Sequence, residues 1–326
     1  MSNPHVLCLG EILFDLLADQ VGRSLEQVES WTPYPGGAPA NVACALVKLG
    51  TPAGFIGCVG KDRAGDELVQ VLQKVGVDVT GVQRHSTAPT RQVNVVRTES
   101  GDRIFAGFRN HDTTEFADTK LQTSQLPVKL FEAADFLVVG TLELAYPDSA
   151  KSVERALQLA EQYDVKILLD VNWRPVFWPN PETARQTIQE VFKRIDFLKL
   201  SSEEAEWLFN TTDPGAINYR LNSVEGVVIT GGEQGCAYCL SENEGKLPAF
   251  SVPVVDTTGA GDSFVAGFIH QLRQVGIHSL ADPQTAQRVV TYASAVGALT
   301  TIKPGAIAAQ PTVAEVEAFL NLHPYP

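Results

Sequence analysis

One stretch of the chain carries residues whose types and spacing could do chemistry: Asp256 to Phe268, reading DTTGAGDSFVAGF. Gly259 and Gly261 flank Ala260 and lead directly into Asp262, after which Phe264, Val265 and Phe268 recur at helical spacings. The pattern predicts a small-residue loop opening a helix. Backbone amides in such a loop can turn toward one point, and a helix start adds unpaired amides and roughly half a positive charge. That combination suits an anion, most often a phosphate. Asp262 at this positive end is expected to stay ionised at neutral pH, above a reference pKa of about 3.9. It could align a hydroxyl and take its proton while the amides of Gly259, Ala260, Gly261 and Asp262 stabilise a phosphoryl group in transfer. A plainer reading is a glycine-rich turn with Asp262 as its cap.

Positioning such a loop takes a scaffold. Strand-like runs over His5 to Leu9, Phe55 to Val59, Phe136 to Val139, Lys166 to Asp170, Phe197 to Leu200 and Gly226 to Ile229 alternate with amphipathic stretches at Asp66 to Val75, Ala150 to Tyr163 and Pro181 to Arg194. This rhythm predicts an α/β fold with a mostly parallel sheet covered by helices on both faces, and ligands at the carboxyl ends of its strands. Two segments interrupt it: Ile12 to Tyr34 and Thr90 to Arg109, the second reading as a hairpin turning at Ser100, Gly101 and Asp102. Hairpins inserted into a covered sheet must project from it, so these read as a lid or as an ordinary edge extension. The expected organisation is one domain over residues 1–326, with lid segments at about 12–35 and 88–112.

GGAPANVACALVKLG, from Gly36 to Gly50, has the start and stop signals of a helix: glycines and Pro39 at its mouth, Gly50 and Pro52 at its end. Gly36 and Gly37 would let backbone approach a ligand closely, and Asn41 offers a donor and an acceptor. Downstream, DVNWRPVFW follows one strand, KLSSEEAEWL the next, and ITGGEQG another. Near the end, YASAVGALTTIKPGAI is rich in small residues, suited to close helix packing or to a wall that admits a flat ring.

DTTGAGDSFVAGF resembles the second signature of the PfkB, or ribokinase, family of carbohydrate kinases, and GGAPANVACALVKLG with Gly57, Gly60, Asp62 and Gly65 resembles the first. The likeness runs from Val6 to about Phe319. It implies a three-layer ribokinase-like sandwich with a small β lid, and transfer of the γ-phosphoryl group of Mg-ATP to a sugar hydroxyl. Asp262 would be the base, with Gly259, Ala260 and Gly261 forming the anion hole. Asp15 in GEILFDLL, Gly36, Gly37 and Asn41 would contact the sugar, joined by Arg97, Phe105 and Arg109 as lid candidates. Asn172, Arg174, Lys199, Ser201, Glu204, Thr230, Gly232, Gly235 and Ala295 would lie on the nucleotide side. Glu204 would enter the magnesium network, with Glu203 a competing assignment; Ser201 stands where the family pattern has asparagine. Asp256, Thr258 and Gly305 would border a monovalent cation, possible potassium dependence included. Fructose is the expected sugar, on GEILFD, the GDRIFAGFRN hairpin before TTEFAD, and the tail KPGAIAAQPT. A 2-keto-3-deoxygluconate kinase, favoured by Arg109, is the alternative. An inactive sugar-sensing or partner-binding relative is an alternative of another class.

Composition narrows the partners. At 326 residues and 44% hydrophobic the chain can bury a large core, and a net charge of -13 argues against nucleic acid. No apolar run of membrane-spanning length occurs, and the N-terminus lacks a signal-peptide pattern. Five cysteines include a CxxC at Cys236 and Cys239 in a strand-like run, where residues three apart face opposite sides, so reduced thiols and a cytoplasmic setting are expected. Lids of the kind the resemblance implies often pair two subunits, which makes a homodimer through the lid an expectation of the resemblance.

Overall fold

The computed structural model describes residues 3–97, 99, 103–108 and 111–323. In chain order the elements begin β1 (Val6–Leu9), β2 (Leu13–Val21), β3 (Trp31–Gly36), α1 (Ala38–Lys48), β4 (Ala53–Gly60), α2 (Arg63–Val75), β5 (Asp78–His85), β6 (Gln92–Arg97) and β7 (Arg103–Gly107). They continue through α3 (Val128–Phe131), β8 (Phe136–Val139), α4 (Pro147–Gln162), β9 (Lys166–Asp170), α5 (Ala184–Val191), β10 (Phe197–Ser201), α6 (Ser202–Phe209), α7 (Pro214–Leu221) and β11 (Gly226–Thr230). The last are β12 (Cys236–Leu240), β13 (Asn243–Leu247), α8 (Ala260–Val275), α9 (Pro283–Thr300), α10 (Ala306–Ala309) and α11 (Val313–Leu322).

Nine strands form one sheet in the order β13-β12-β11-β10-β9-β8-β1-β4-β5, with parallel pairing throughout except where β12 pairs antiparallel with both β11 and β13 at one edge. Side-chain alternation divides its two faces. Val6, Cys8, Phe136, Val138, Leu168, Phe197 and Val228 enter the core with α1, α2, α8 and α9. Leu7, Leu9, Leu137, Val139, Ile167, Leu169, Leu198 and Val227 enter the other, with α4, α5, α6 and α7. Both faces are covered, which is why these strands read as continuous apolar runs rather than alternating ones.

A second sheet has the order β3-β2-β6-β7, with β2 and β6 parallel and both outer pairs antiparallel. It gathers strands from the two segments that interrupted the α/β rhythm; the turn at residues 100–102 lies outside the described residues.

Local signals shifted some boundaries. The helix expected from Asp66 begins at Arg63, because Asp62 caps it by accepting from the Gly65 amide at 2.8 Å. The helix expected over Pro181 to Arg194 is α5 flanked by two 3-10 turns. Cys236 faces the α8 and α9 layer, whereas Cys239 accepts from Asn218 on α7 at 3.3 Å. All five cysteines are buried and free. No helix among the described residues is long and apolar enough to cross a membrane.

Candidate active site

The parallel strands all deliver their carboxyl ends to one edge, where the segments after β1, β8, β9 and β10 meet the N-terminus of α8. Two cavities open there, of about 340 Å³ and 390 Å³, and Thr257 and Gly261 line both. The loop that opens α8 is thus the partition between them.

Gly259 takes a left-handed φ of 77° as the cap residue of α8, and a β-carbon there would lie 2.8 Å from that of Ala306. The Ala260 amide donates to Thr257 O at 3.2 Å and the Ser263 amide to Gly259 O at 2.9 Å. Among the described residues the Gly259, Gly261 and Asp262 amides take no such backbone partner and are left to meet a ligand. Asp262 is buried and accepts from Asn41 Nδ2 at 2.8 Å. Burial pushes its carboxyl above the ordinary range, opposed by the Asn41 hydrogen bond and by the charges of Lys199 and Arg174. The field at the helix start thus competes with desolvation. Lys199 Nζ lies 3.1 Å from where a β-carbon on Gly261 would be, and donates to Asp170 at 3.0 and 3.3 Å. Burial works against this ammonium, but Asp170, Glu204 and Asp262 together hold its pKa above the ordinary value.

Gly37, Asn41, Asp15 and Phe105 line the first cavity with Asn172, Arg174, Lys199 and Asp262. Gly37 has φ 105°, and a β-carbon there would stand 2.5 Å from Glu11 O, so only glycine fits. Gly36 backs Asp15, whose Oδ2 would lie 3.0 Å from a β-carbon at that position. Glu11 Oε1 accepts from the Ala38 amide at 2.8 Å and fixes the start of α1. Phe105 is 41% exposed and meets Phe177 edge-on at 6.0 Å. Arg97, expected at the sugar, instead donates to Ala18 O at 3.1 Å and Asp19 O at 2.8 Å. The register of β2 on β6 slips between Leu17 and Val21, and Arg97 takes carbonyls where that pairing is irregular. Arg109 lies outside the described residues. Glu11, Thr141, Phe177 and Trp178 also line this cavity and were not singled out, although each follows closely on a strand or on the DVN turn.

The second cavity is lined by Thr230, Gly232, Gly235 and Ala260, by Phe250, Val252 and Val254, and by Ser294, Gly297, Ala298 and Thr301. Ala295 is fully buried in the α8 and α9 core instead, because one residue along a helix turns the side chain about 100° away. Ser201 and Glu204 form a capping box at the start of α6 and line neither cavity. The two Glu204 oxygens accept from the Ser201 and Trp173 amides, each at 2.7 Å. Glu204 thereby fastens the turn that carries Asn172, at φ 36°, and Arg174.

Asp256 draws together the third group: Oδ1 accepts from the Thr258 amide at 3.1 Å and from its hydroxyl at 2.7 Å, and Oδ2 from the Gly305 amide at 2.8 Å. Among the described residues no cluster of three or more His, Cys, Asp or Glu is arranged to hold a metal ion.

The signature for pfkB family carbohydrate kinases matches residues 3–313. Fructokinase-1 of Zea mays is 34% identical over 314 residues, covering 95% of this chain and 96% of its own. A fructokinase from Xylella fastidiosa with bound ATP superposes with a TM-score of 0.88 at 29% identity, covering 98% of this chain and 99% of its own. A double mutant of the Vibrio cholerae fructokinase, bound to fructose, ADP and potassium, gives a TM-score of 0.84 at 28% identity over 98% of this chain and 99% of its own. With the glycine loop, the buried Asp262 and the paired cavities in one place, these likenesses identify the chain as a member of the pfkB family of carbohydrate kinases, phosphotransferases that act on a sugar hydroxyl.

Proposed function

We propose that this protein phosphorylates fructose to fructose 6-phosphate, with ATP as donor in the second cavity and the ketose in the first. One observation carries the assignment: the two cavities share a wall at Thr257 and Gly261, directly beside the Asp262 carboxyl. A sugar hydroxyl held on Asp262 would give up its proton there as its oxygen bonds to phosphorus and the bond from phosphorus to the departing ADP oxygen breaks. The Gly261 and Asp262 amides, with Lys199 and Arg174 nearby, would balance the charge on the phosphoryl oxygens. The small sheet would act as the lid, with Phe105 over the sugar.

A neutral sugar is favoured over a sugar acid by the charges on the first cavity. Among the described residues Glu11, Asp15 and Asp262 line it, and the two cations that do so, Lys199 and Arg174, both act on Asp262 at the phosphoryl end; Arg109 lies outside the described residues. A substrate carboxylate would therefore meet like charge. Magnesium fits as a companion of the nucleotide phosphates rather than as a resident ion, since both Glu204 oxygens are already held by amides. A potassium ion bordered by Asp256, Thr258 and Gly305 would supply positive charge behind the glycine loop; exchanging potassium for a bulky organic cation should then lower turnover.

The deciding experiment is ADP release with Mg-ATP over a panel of sugars. Fructose should give the highest kcat/KM. Faster turnover of 2-keto-3-deoxygluconate would overturn the substrate assignment, and no turnover with any sugar, despite ATP binding, would favour an inactive sugar-binding relative.

A further inference from the structure

The buried carboxyls around the first cavity differ in what satisfies them. Asp118 holds the Arg91 guanidinium at 2.5 and 2.9 Å, and Asp170 holds Lys199. Glu204 accepts two backbone amides, Asp262 accepts from Asn41, and Glu11 accepts from Ala38. Glu143, in the turn after β8, is 2% exposed, and neither of its carboxyl oxygens has a hydrogen-bond partner among the described residues. Its Oε2 packs on Gly10, 3.1 Å from where a β-carbon would lie, and Pro39 at the start of α1 packs on the same glycine. Gly10 adjoins Glu11, so the two glutamates are neighbours beneath the loop that begins α1.

A carboxylate buried without a partner is strongly disfavoured and takes up a proton instead. Arg91, the cation that acts on Glu143, is already matched by Asp118 and relieves it only in part. We propose that Glu143 stays protonated in the working enzyme and, as the neutral half of a one-proton carboxyl pair with Glu11, is a positioning residue that keeps residues 36–41 in place for the sugar. The groups that act on the pair are Glu11 from the β1 to β2 connection, Asp118 from the turn after β7, Arg91 from the approach to β6 and Asp262 from α8. Burial raises Glu143 well above the ordinary carboxyl range, with the Glu11 charge adding to it. Burial likewise pushes Glu11 up to about 7, against the pull of backbone hydrogen bonds that include the Ala38 amide. Losing the Glu143 proton would put two charges under the glycine loop and push it off the sugar.

Glu143→Gln keeps the shape of the protonated acid and cannot ionise. In the wild-type enzyme the alkaline change should fall on the sugar KM rather than on kcat, approaching tenfold per pH unit once the proton is lost. The variant should lose that rise; a variant with the wild-type KM profile overturns the proposal. Stability gives a second readout. A carboxyl whose pKa is raised by folding contributes stability that is complete below its unfolded value of 4.5 and lost as pH rises through the folded value. The melting temperature of Glu143→Gln relative to wild type should therefore climb with pH, and a constant difference overturns the proposal. Should the variant not fold, the infrared spectrum of the wild-type protein decides: a protonated-carboxyl band at neutral pH supports the pair, and its absence overturns it. The KM arm rests on the proposed sugar-kinase reading. The melting and infrared arms do not, so failure of either reading is distinguishable from failure of the other.

Discussion

As the proposed base, Asp262 would combine two requirements that pull against each other. A base must be ionised to accept a proton, yet it gains strength as its pKa rises toward the working pH. Burial supplies the second, while Asn41, Lys199 and Arg174 limit how far it goes. Turnover should accordingly fall as pH drops through a value above the ordinary 3.8, with an acid limb that Asp262 sets. Asp262→Asn should lower kcat by about 10²–10⁴-fold, the usual contribution of a general base, while leaving ATP affinity within a few fold. Isothermal titration beside steady-state kinetics separates the two, and near-wild-type turnover would remove Asp262 from the role of base. At this scale much was legible: Gly37, Gly259, Gly261, Asp262, Asn41 and Asp15 all line the first cavity. Arg97 was not, since nothing in RQVNVVR tells that its guanidinium is taken by carbonyls of β2.

The element that aims the site is α8, and its seating against α9 depends on the lack of side chains at two glycines. A β-carbon on Gly267 would come within 2.9 Å of Val296 Cγ2 and 3.0 Å of Ala293 Cα, and one on Gly297 within 3.1 Å of Ala260 O. Gly267→Leu should overpack this contact and cost about 1–3 kcal/mol, read from the denaturant midpoint. Nucleotide affinity should fall with it, because Ser294, Gly297 and Ala298 on α9 wall the second cavity. Unchanged stability would mean that the helices are not held by this close approach. A helix opening at the glycine loop, and the suitability of the small residues in YASAVGALTTIKPGAI for close helix packing, were readable. The phase of α9 was not: Ala295 and Ser294 are equally small, and only packing decides which of them faces the cavity.

Across the whole molecule, the small sheet must be tied to a body made from distant parts of the chain. Arg91, at the approach to β6, is fully buried against Asp118 and lies 4.6 Å from the Phe116 ring centroid and 5.6 Å from that of Phe177. This cation anchors the root of β6 to the wall that also carries Phe177, opposite Phe105. Arg91→Met should cost about 3–5 kcal/mol by stranding the Asp118 charge, and the double change with Asp118→Leu should recover a large part. Equal unfolding free energies for wild type and Arg91→Met would show that the pair anchors nothing. A net charge of -13 also means that the positive potential needed for phosphate is wholly local, drawn from α8, Lys199 and Arg174.

By itself the sequence determined the layered α/β architecture, since continuous apolar runs of strand length, separated by amphipathic stretches, can be satisfied only by a sheet covered on both faces. It also determined the opening of α8, where glycine spacing lets the backbone take the left-handed turn at Gly259. Tertiary structure decided which charges are answered. The pairing of Asp118 with Arg91 and of Asp170 with Lys199, the diversion of Arg97 to β2 and the isolation of Glu143 all depend on which residues burial brings within hydrogen-bond reach. A carboxylate looks the same in a sequence whether or not a partner will meet it.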